Sequence, residues 1–323
     1  MNFIEPKVEI LQQGPGLDGL YKHIEICGRT AYKSEDHITK DSAKKFVDML
    51  TNRGHGAALE HGTCYLAIPK EEWDFIVDNH DFNFMDSPYI KYGFDFRKGC
   101  SDYVYITTNY RVLIEHSYPE LLDYIVTPSN DEFLWNDGSY KHFERRISVR
   151  FTCDRGVSHE FVRHRVFSFI QESTRYCNYS KDKFGNEITY IIPRWIHDIQ
   201  ENISHTVDSF GESRAWIIGL FGNDLMNCLS CEDRTVSQYI HTLQSIEDCY
   251  LDMITQDDGT KLVPQQARQI LPNALKTELI MTGTVEQWKG FFKLRCAESA
   301  HPDARYLALQ LEEMFFNKGY LNN

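Results

Sequence analysis

The stretch "RISVRFTCDRGVSHEF", Arg146 to Phe161, does most to restrict the folds open to this chain. Ile147, Val149, Phe151 and Cys153 alternate with Ser148, Arg150 and Thr152, the period-two pattern of a strand with one face in a core. "DRG" then reads as a turn, and Ser158 as the cap of a helix with Glu160 in its first turn, where a carboxylate suits the helix dipole. A second strand-to-helix unit lies near the C-terminus. There "LKTELIMTG" reads as a strand, and Thr284 with Gln287 spells a capping box for a helix that buries Trp288, Phe291 and Phe292. Pro302 and Gly319 frame a last helix carrying Leu307, Leu311, Met314 and Phe315.

The rest of the chain is less patterned. Asp41 to Arg53 sets Ala43, Phe46, Val47 and Leu50 on one helical face, with Gly54 as the stop, and "GTCYLAIP" reads as a short strand ended by proline. Residues 74–140 are aromatic-rich and irregular, with helical stretches from Tyr110 to Ile125 divided at Pro119; they read as an elaboration, not a site. Thr206 to Ile254 reads as a long helix or helix pair, and Pro264 opens a short helix carrying Arg268. "GPGLDG" spells G-x-G-x-x-G after the candidate strand "KVEILQQ", but Pro15 removes a donor from the would-be phosphate cradle. The next element also reads as a helix where a dinucleotide fold needs a strand, so a plain turn is the better reading.

With 323 residues, 42% hydrophobic, the chain can bury one large core or two modest ones, and no linker or repeat marks a boundary. No run of about 18 apolar residues occurs, and the N-terminus is acidic where a secretion signal is basic, so a soluble cytoplasmic protein is expected. Nine cysteines without framework spacing suit reduced thiols. A net charge of −13 disfavours nucleic acid polymers and anionic membranes. Within it sits a basic island, where Lys141, Arg145, Arg146, Arg150, Arg155, Arg163, Arg165 and Arg175 outnumber Glu144, Asp154, Glu160 and Glu172. That suits a small anionic ligand, and equally a solvated arginine-rich surface.

"RHRVFSFIQESTRY" (163–176) concentrates the chemistry. On an ideal helix Arg163, His164 and Arg165 point about 100° apart, toward three different phosphates or ring edges; pairing with Glu160 and Glu172 is the structural alternative. Ser173 stands nine residues from His164, which does not establish a nucleophile and base. Arg295 shares a helix face with Trp288, Phe291 and Phe292, so it needs either a carboxylate from the chain or a bound anion. Cys228 and Cys231 form a lone C-x-x-C pair without a second pair to complete a zinc site, and His55 and His61 lack metalloprotease spacing.

With these residues set out, the chain resembles the flavin-dependent thymidylate synthases. Their signature is R-H-R, seven residues, then Ser, matched by Arg163-His164-Arg165, "VFSFIQE" and Ser173. "GHGAALEH" (54–61) and "QARQILP" with "FFKLRCAESAH" (266–301), carrying Arg268 and Arg295, also look like family segments and follow in family order. The resemblance implies an α+β fold, a mixed sheet packed with helices, as one domain over 1–323 with the elaboration at about 74–140. It also implies a homotetramer whose active sites are shared between subunits.

The activity it implies is methylation of dUMP to dTMP, with FAD as cofactor, methylenetetrahydrofolate as carbon donor and NADPH as reductant. No enzymic nucleophile is needed, and the Pro-Cys-His of the other thymidylate synthase class is absent. By resemblance, His55, Arg163, His164, Arg165 and Gln171 look like flavin ligands. Glu160, Arg163, Gln171, Glu172, Ser173, Thr174, Arg175, Arg268 and Arg295 look like dUMP ligands, with Ser173 to Arg175 on the phosphate. Arg295 would also be catalytic, facing the uracil edge, where a fixed charge favours ionisation at N3 and makes C5 more nucleophilic. Two positions depart from the family: Gln171 replaces a common Glu, and Glu160 a common Gln, an exchange that suggests a swapped pair. C5 hydroxymethyl transfer and a non-catalytic flavin- or nucleotide-binding homologue are the alternatives.

Overall fold

A computed structural model describes residues 1–79, 87–93, 102–115, 119–128, 134–136, 142–198, 234–256 and 260–321. The chain opens with β1 (Asn2–Ile4), β2 (Lys7–Leu11), α1 (Gly16–Tyr32), α2 (Ser42–Asn52), α3 (Gly56–Leu59), β3 (Thr63–Pro69) and α4 (Lys70–Asn79). It continues with β4 (Lys91–Gly93), β5 (Tyr103–Asn109), α5 (Tyr110–Glu115), β6 (Leu134–Trp135), β7 (Phe143–Glu144), β8 (Arg146–Asp154), α6 (Arg155–Phe161), β9 (Ser168–Gln171) and β10 (Thr189–Ile191). After these come α7 (Arg234–Thr255), α8 (Pro264–Ala267), β11 (Lys276–Thr284), α9 (Val285–Arg295) and α10 (Pro302–Asn317). The fold is α+β.

Both strand-to-helix units meet in one antiparallel sheet of order β2-β8-β11-β9. β8 and β11 pair over their full lengths, from Lys276 opposite Asp154 to Thr284 opposite Arg146. Ile147, Val149, Phe151 and Cys153 pack, as their alternation requires, into one core with Trp288, Phe291 and Phe292 of α9 and Leu307, Leu311 and Phe315 of α10. The other face of β8 is not open to water. Ser148 and Thr152 are buried because α1 lies over them, with His23 Nε2 2.9 Å from Ser148 Oγ. The half-buried strand expected from the alternation is thus covered on both faces, with Ser148 and Arg150 bonded to α1.

The helix after β8 also starts differently from the expectation. "DRG" is no turn: Asp154 is the cap, its carboxylate accepting from Val157 N at 2.8 Å, and α6 begins at Arg155. Ser158 lies inside that helix and donates to Arg155 O. The second unit forms as its sequence requires, with Thr284 N–H donating to Gln287 Oε1 at 2.8 Å and Gln287 N–H to Thr284 Oγ1 at 3.3 Å.

A second core is built on α1, α2, β3 and β5. Ala43, Phe46, Val47 and Leu50 are its α2 face, and Gly54 ends that segment at φ +67, where other residues are strained. Parts of 74–140 belong to this core: β5 pairs with β3 from Thr63 opposite Asn109 to Pro69 opposite Tyr103, and β4 extends the sheet. The segment read as irregular therefore contributes strands, their spacing hidden by unevenly placed aromatics. A third core joins β1 and β10 to α7. The candidate helix from Thr206 is described only as α7, and Cys228 and Cys231 lie outside the described residues.

In "GPGLDG", a side chain at Gly19 would stand 2.1 Å from the Gly14 carbonyl carbon, so that glycine is required by close backbone approach. β2 is an antiparallel edge strand and the next element is helical, unlike a dinucleotide-binding unit. Among the described residues no helix is long and apolar enough to cross a membrane.

Candidate active site

α9 ends at Arg295, and the capping box at its start fixes the face from which that side chain projects. Arg295 Nη1 donates to Glu160 Oε2 at 2.5 Å, Nη2 to the Glu160 carbonyl at 2.6 Å, and Nε to His164 Nε2 at 3.0 Å. The partner demanded by the apolar face is thus a carboxylate of the same chain. Three of the five guanidinium N–H groups are used, and two remain for a ligand. Because His164 Nε2 accepts, its proton sits on Nδ1. Burial, then the Arg295 charge, lowers the His164 pKa to about 4, so the ring is neutral near pH 7.

Arg163, His164 and Arg165 are not helical. α6 stops at Phe161, and the chain turns through His164 N–H to Phe161 O and Phe167 N–H to His164 O. Arg163 and Arg165 point into solvent, while His164 folds inward against the Phe291 ring, centroids 5.0 Å apart. Among the described residues neither exposed arginine forms an ion pair, so both guanidiniums are open to an anion. The basic island is otherwise dispersed. Arg150 is 3.7 Å from Glu9 and 3.9 Å from Glu278, and Arg145 stacks on Tyr320.

β9 carries the chain from this turn to the next group. Ser173 N–H is taken by Ala31 O at 3.0 Å, and its hydroxyl accepts from Arg175 N at 3.4 Å. Thr174 is buried, with Arg268 Nη1 3.5 Å from its hydroxyl. Arg175 is exposed and lies over the Tyr176 ring. Tyr176 packs against Tyr32, whose hydroxyl is 2.9 Å from His55 Nδ1. Tyr32 and Tyr176 carry no sequence signal beyond being aromatic.

Gln171 and Glu160 have separate partners. Gln171 Nε2 donates to Ser158 Oγ at 2.8 Å and to Thr277 Oγ1 at 3.2 Å, and among the described residues it shares no hydrogen bond with the Glu160–Arg295 pair. Glu172 is buried and paired with Lys276 at 2.8 Å; Lys276 also holds Glu278 at 2.9 Å, and Lys33 reaches Glu278 at 2.8 Å. Burial alone would raise the Glu278 pKa, but Lys276 and Lys33 together bring it down to about 2. His61 is buried with its Nδ1 2.7 Å from Thr282 Oγ1.

Within one chain eight of the expected residues fall into two groups, with Arg163, Arg165, Gln171 and Glu172 in neither. Glu160, His164 and Arg295 are bonded together; Ser173, Thr174, Arg175 and Arg268 meet beside Tyr176, Tyr32 and His55. Among the described residues the two groups share no hydrogen bond.

An α+β protein with arginines gathered at a strand-helix junction is the class defined by this fold and site. The family model described as thymidylate synthase complementing protein matches residues 131–318, and the chain belongs to that family. It is 28% identical over 156 residues to a flavin-dependent thymidylate synthase of Mycolicibacterium gilvum, covering 48% of this chain and 51% of that one. It is 26% identical over 157 residues to the enzyme of that name from Geobacter sulfurreducens, covering 49% and 50%. With the Mycobacterium tuberculosis protein so named, identity is 27% over 190 residues, covering 57% and 64%. The chain thus spans about half to two thirds of the length of these relatives.

Proposed function

We propose that this protein methylates dUMP at C5, using a bound flavin, methylenetetrahydrofolate as carbon donor and NADPH as reductant. The observation that carries the reading is the contact between Thr174 and Arg268. It joins the Ser173–Arg175 loop to an arginine 94 positions away in sequence, as a site gripping one phosphate from two segments requires. The names of the relatives supply the flavin and the thymidylate product.

The donor set suits both ligands. Exposed Arg163 and Arg165 offer charge-assisted donors to the flavin's phosphates, and neutral His164 offers Nδ1–H. When bound, the flavin would carry hydride from reductant to the transferred carbon. The chain's own residues bind and polarise. Ser173, Thr174 and Arg175 hold the nucleotide phosphate with Arg268, while Arg295, fixed by Glu160, turns its two remaining N–H groups toward the uracil edge. That arrangement favours negative charge on the pyrimidine. That the two groups share no hydrogen bond within one chain supports a homotetramer in which one subunit completes the site of another; a cytoplasmic location is part of the same proposal.

The test is direct. The purified protein should be yellow, with flavin absorbance, and should release tritium from C5-labelled dUMP while forming a product of dTMP mass. A colourless protein that cannot be reconstituted with FAD, or a hydroxymethylated product, would overturn the assignment.

A further inference from the structure

At the start of β8 lies a cavity of about 190 Å³ walled by Gln13, Gly16, Thr63, Thr127, Arg145 and Arg146 among others. It is smaller than the roughly 300–1,000 Å³ of sites that enclose drug-sized ligands. Two arginines and a histidine face it, and among the described residues lining it none is acidic, in a protein of net charge −13. None of the candidate active-site residues contributes to it.

Arg146 is the unusual member. It lies deep between β8 and β3 yet keeps accessible surface, and it is one of the residues lining the cavity. Its Nη1 donates to Thr63 Oγ1 at 3.3 Å and its Nη2 to the Glu60 carbonyl at 3.2 Å, both neutral acceptors. Among the described residues no carboxylate reaches it at ion-pair distance. Burial lowers its pKa from the ordinary arginine value, and the Glu60 and Glu144 carboxylates, which stand beyond ion-pair distance, offset this only in part; a guanidinium stays charged, and a charge removed from water without a direct ion-pair partner is costly. Gly14 and Gly16 bring the start of α1 to the same cavity. That 17-residue helix has Pro15 at its cap with no side-chain cap, and its Gly16 N–H donates to Thr127 Oγ1 at 2.8 Å. The helix therefore adds its positive end to the wall. Asp18, in its first turn, is exposed and engaged by Lys22. His23, on the wall, is kept neutral by burial and is bonded to Ser148.

We propose that this cavity binds a small oxyanion, a phosphate or carboxylate group, which supplies the counter-charge of Arg146. The anion sits between the guanidinium and the start of α1, with the hydroxyls of Thr63 and Thr127 and the Gln13 amide as further polar neighbours. This is a site separate from the nucleotide phosphate loop.

Crystals of the full chain, grown without phosphate or sulfate and soaked in sodium arsenate, should show an anomalous peak within hydrogen-bond distance of the Arg146 guanidinium. Displacement by inorganic phosphate assigns a phosphate group, and displacement by acetate a carboxylate. No peak in the cavity overturns the proposal, even when arsenate occupies the Ser173–Arg175 loop. In calorimetry with dUMP saturating, inorganic phosphate should bind Arg146→Gln about 10- to 100-fold more weakly than wild type. Equal affinity in Arg146→Gln overturns the assignment. Arg146 also braces Glu60 and Thr63, so if that variant does not fold, the arsenate experiment on the wild-type chain decides alone.

Discussion

Glu160 and Arg295, 135 residues apart, are joined by two hydrogen bonds, one to the carboxylate at 2.5 Å and one to the backbone carbonyl at 2.6 Å. The side chains are only 29% and 15% exposed, so the pair is partly shielded from water. A two-point grip holds the guanidinium plane still, which a single ion pair on flexible stems does not.

Removing that guanidinium should affect chemistry more than flavin reduction. Arg295→Ala is expected to slow methyl transfer about 100- to 1,000-fold, as losing one preorganised donor does, while NADPH still reduces the flavin. Arg295→Lys should recover part of the rate, since an ammonium lacks the planar fork. Stopped-flow measurement of the two half-reactions separates these steps. A double-mutant cycle over Glu160 and Arg295 should give a coupling of about 0.5–3 kcal/mol; zero coupling would contradict the pair.

Lys276 supports a second prediction. It lies between Glu172 and Glu278, all three largely buried. Lys276→Met leaves Glu172 without its cation and should destabilise the fold by about 3–5 kcal/mol, read by denaturant unfolding. Glu278, held at a pKa of about 2, contributes stability that is present above its unfolded value and is lost as pH falls from about 4.5 toward 2. The variant should therefore show a flatter stability profile across that acid window than wild type.

Much of this was legible in the sequence, and the failures have physical causes. Alternation located β8, and "LKTELIMTG" was legible as the strand β11; both put apolar side chains into the core with α9 and α10. Alternation could not show that α1 covers the polar face, since His23, Ser148 and Thr282 satisfy one another by contacts 125 and 134 residues apart. The R-H-R spacing located the motif but not its turn, because the helix is capped by Asp154 and ends before Arg163. Arg295's need for an anion was readable from helix phase. Its source, Glu160, depended on how two strand-helix units pack. Lys276 and Glu278 left a weak signal, charges two apart on one strand face, easily taken for a solvated edge.

Acid should destabilise the protein through its histidines. Burial foremost holds His23 at about 4 and His61 well below its ordinary value, with the Arg146 charge adding to both. Both are neutral in the fold and protonate in the unfolded chain below about 6.5, so their contribution is present above that pH and is lost as pH falls toward 4. The expected slope is at most about 1.4 kcal/mol per pH unit for each ring. Denaturant midpoints between pH 7 and 4.5 measure it. His23→Gln, which cannot titrate, should reduce the slope, and an unchanged slope would show that His23 is not the group responsible.

Thiol reactivity should follow burial and not nearness to the motif. Cys177 is fully buried, and burial, followed by Glu172, pushes its pKa up to about 12. It should resist iodoacetamide in the native state, as should Cys27, Cys64 and Cys153, while exposed Cys249 is modified first among these. Site-resolved mass spectrometry gives the order. Cys177→Ala should keep its turnover; loss of turnover with the fold intact would restore a cysteine nucleophile to the mechanism.

The phosphate loop yields the last prediction. Ser173 spends its backbone N–H on Ala31, so it can serve a ligand only through its hydroxyl, which already lies near Arg175 N. Ser173→Ala should therefore weaken dUMP binding by one hydrogen bond to an anion, about 1.5–3 kcal/mol or roughly 10- to 100-fold, and leave kcat near wild type at saturating dUMP. Arg175 is exposed, with its guanidinium against Tyr176, and offers the loop's bidentate fork. Arg175→Lys should lose more affinity for dUMP than Ser173→Ala, while binding deoxyuridine, which has no phosphate, as weakly as wild type does. Equilibrium dialysis with the two ligands compares them. If Ser173→Ala abolishes turnover while dUMP still binds at full affinity, the hydroxyl takes part in bond making, and a nucleophilic serine replaces the phosphate loop in the mechanism.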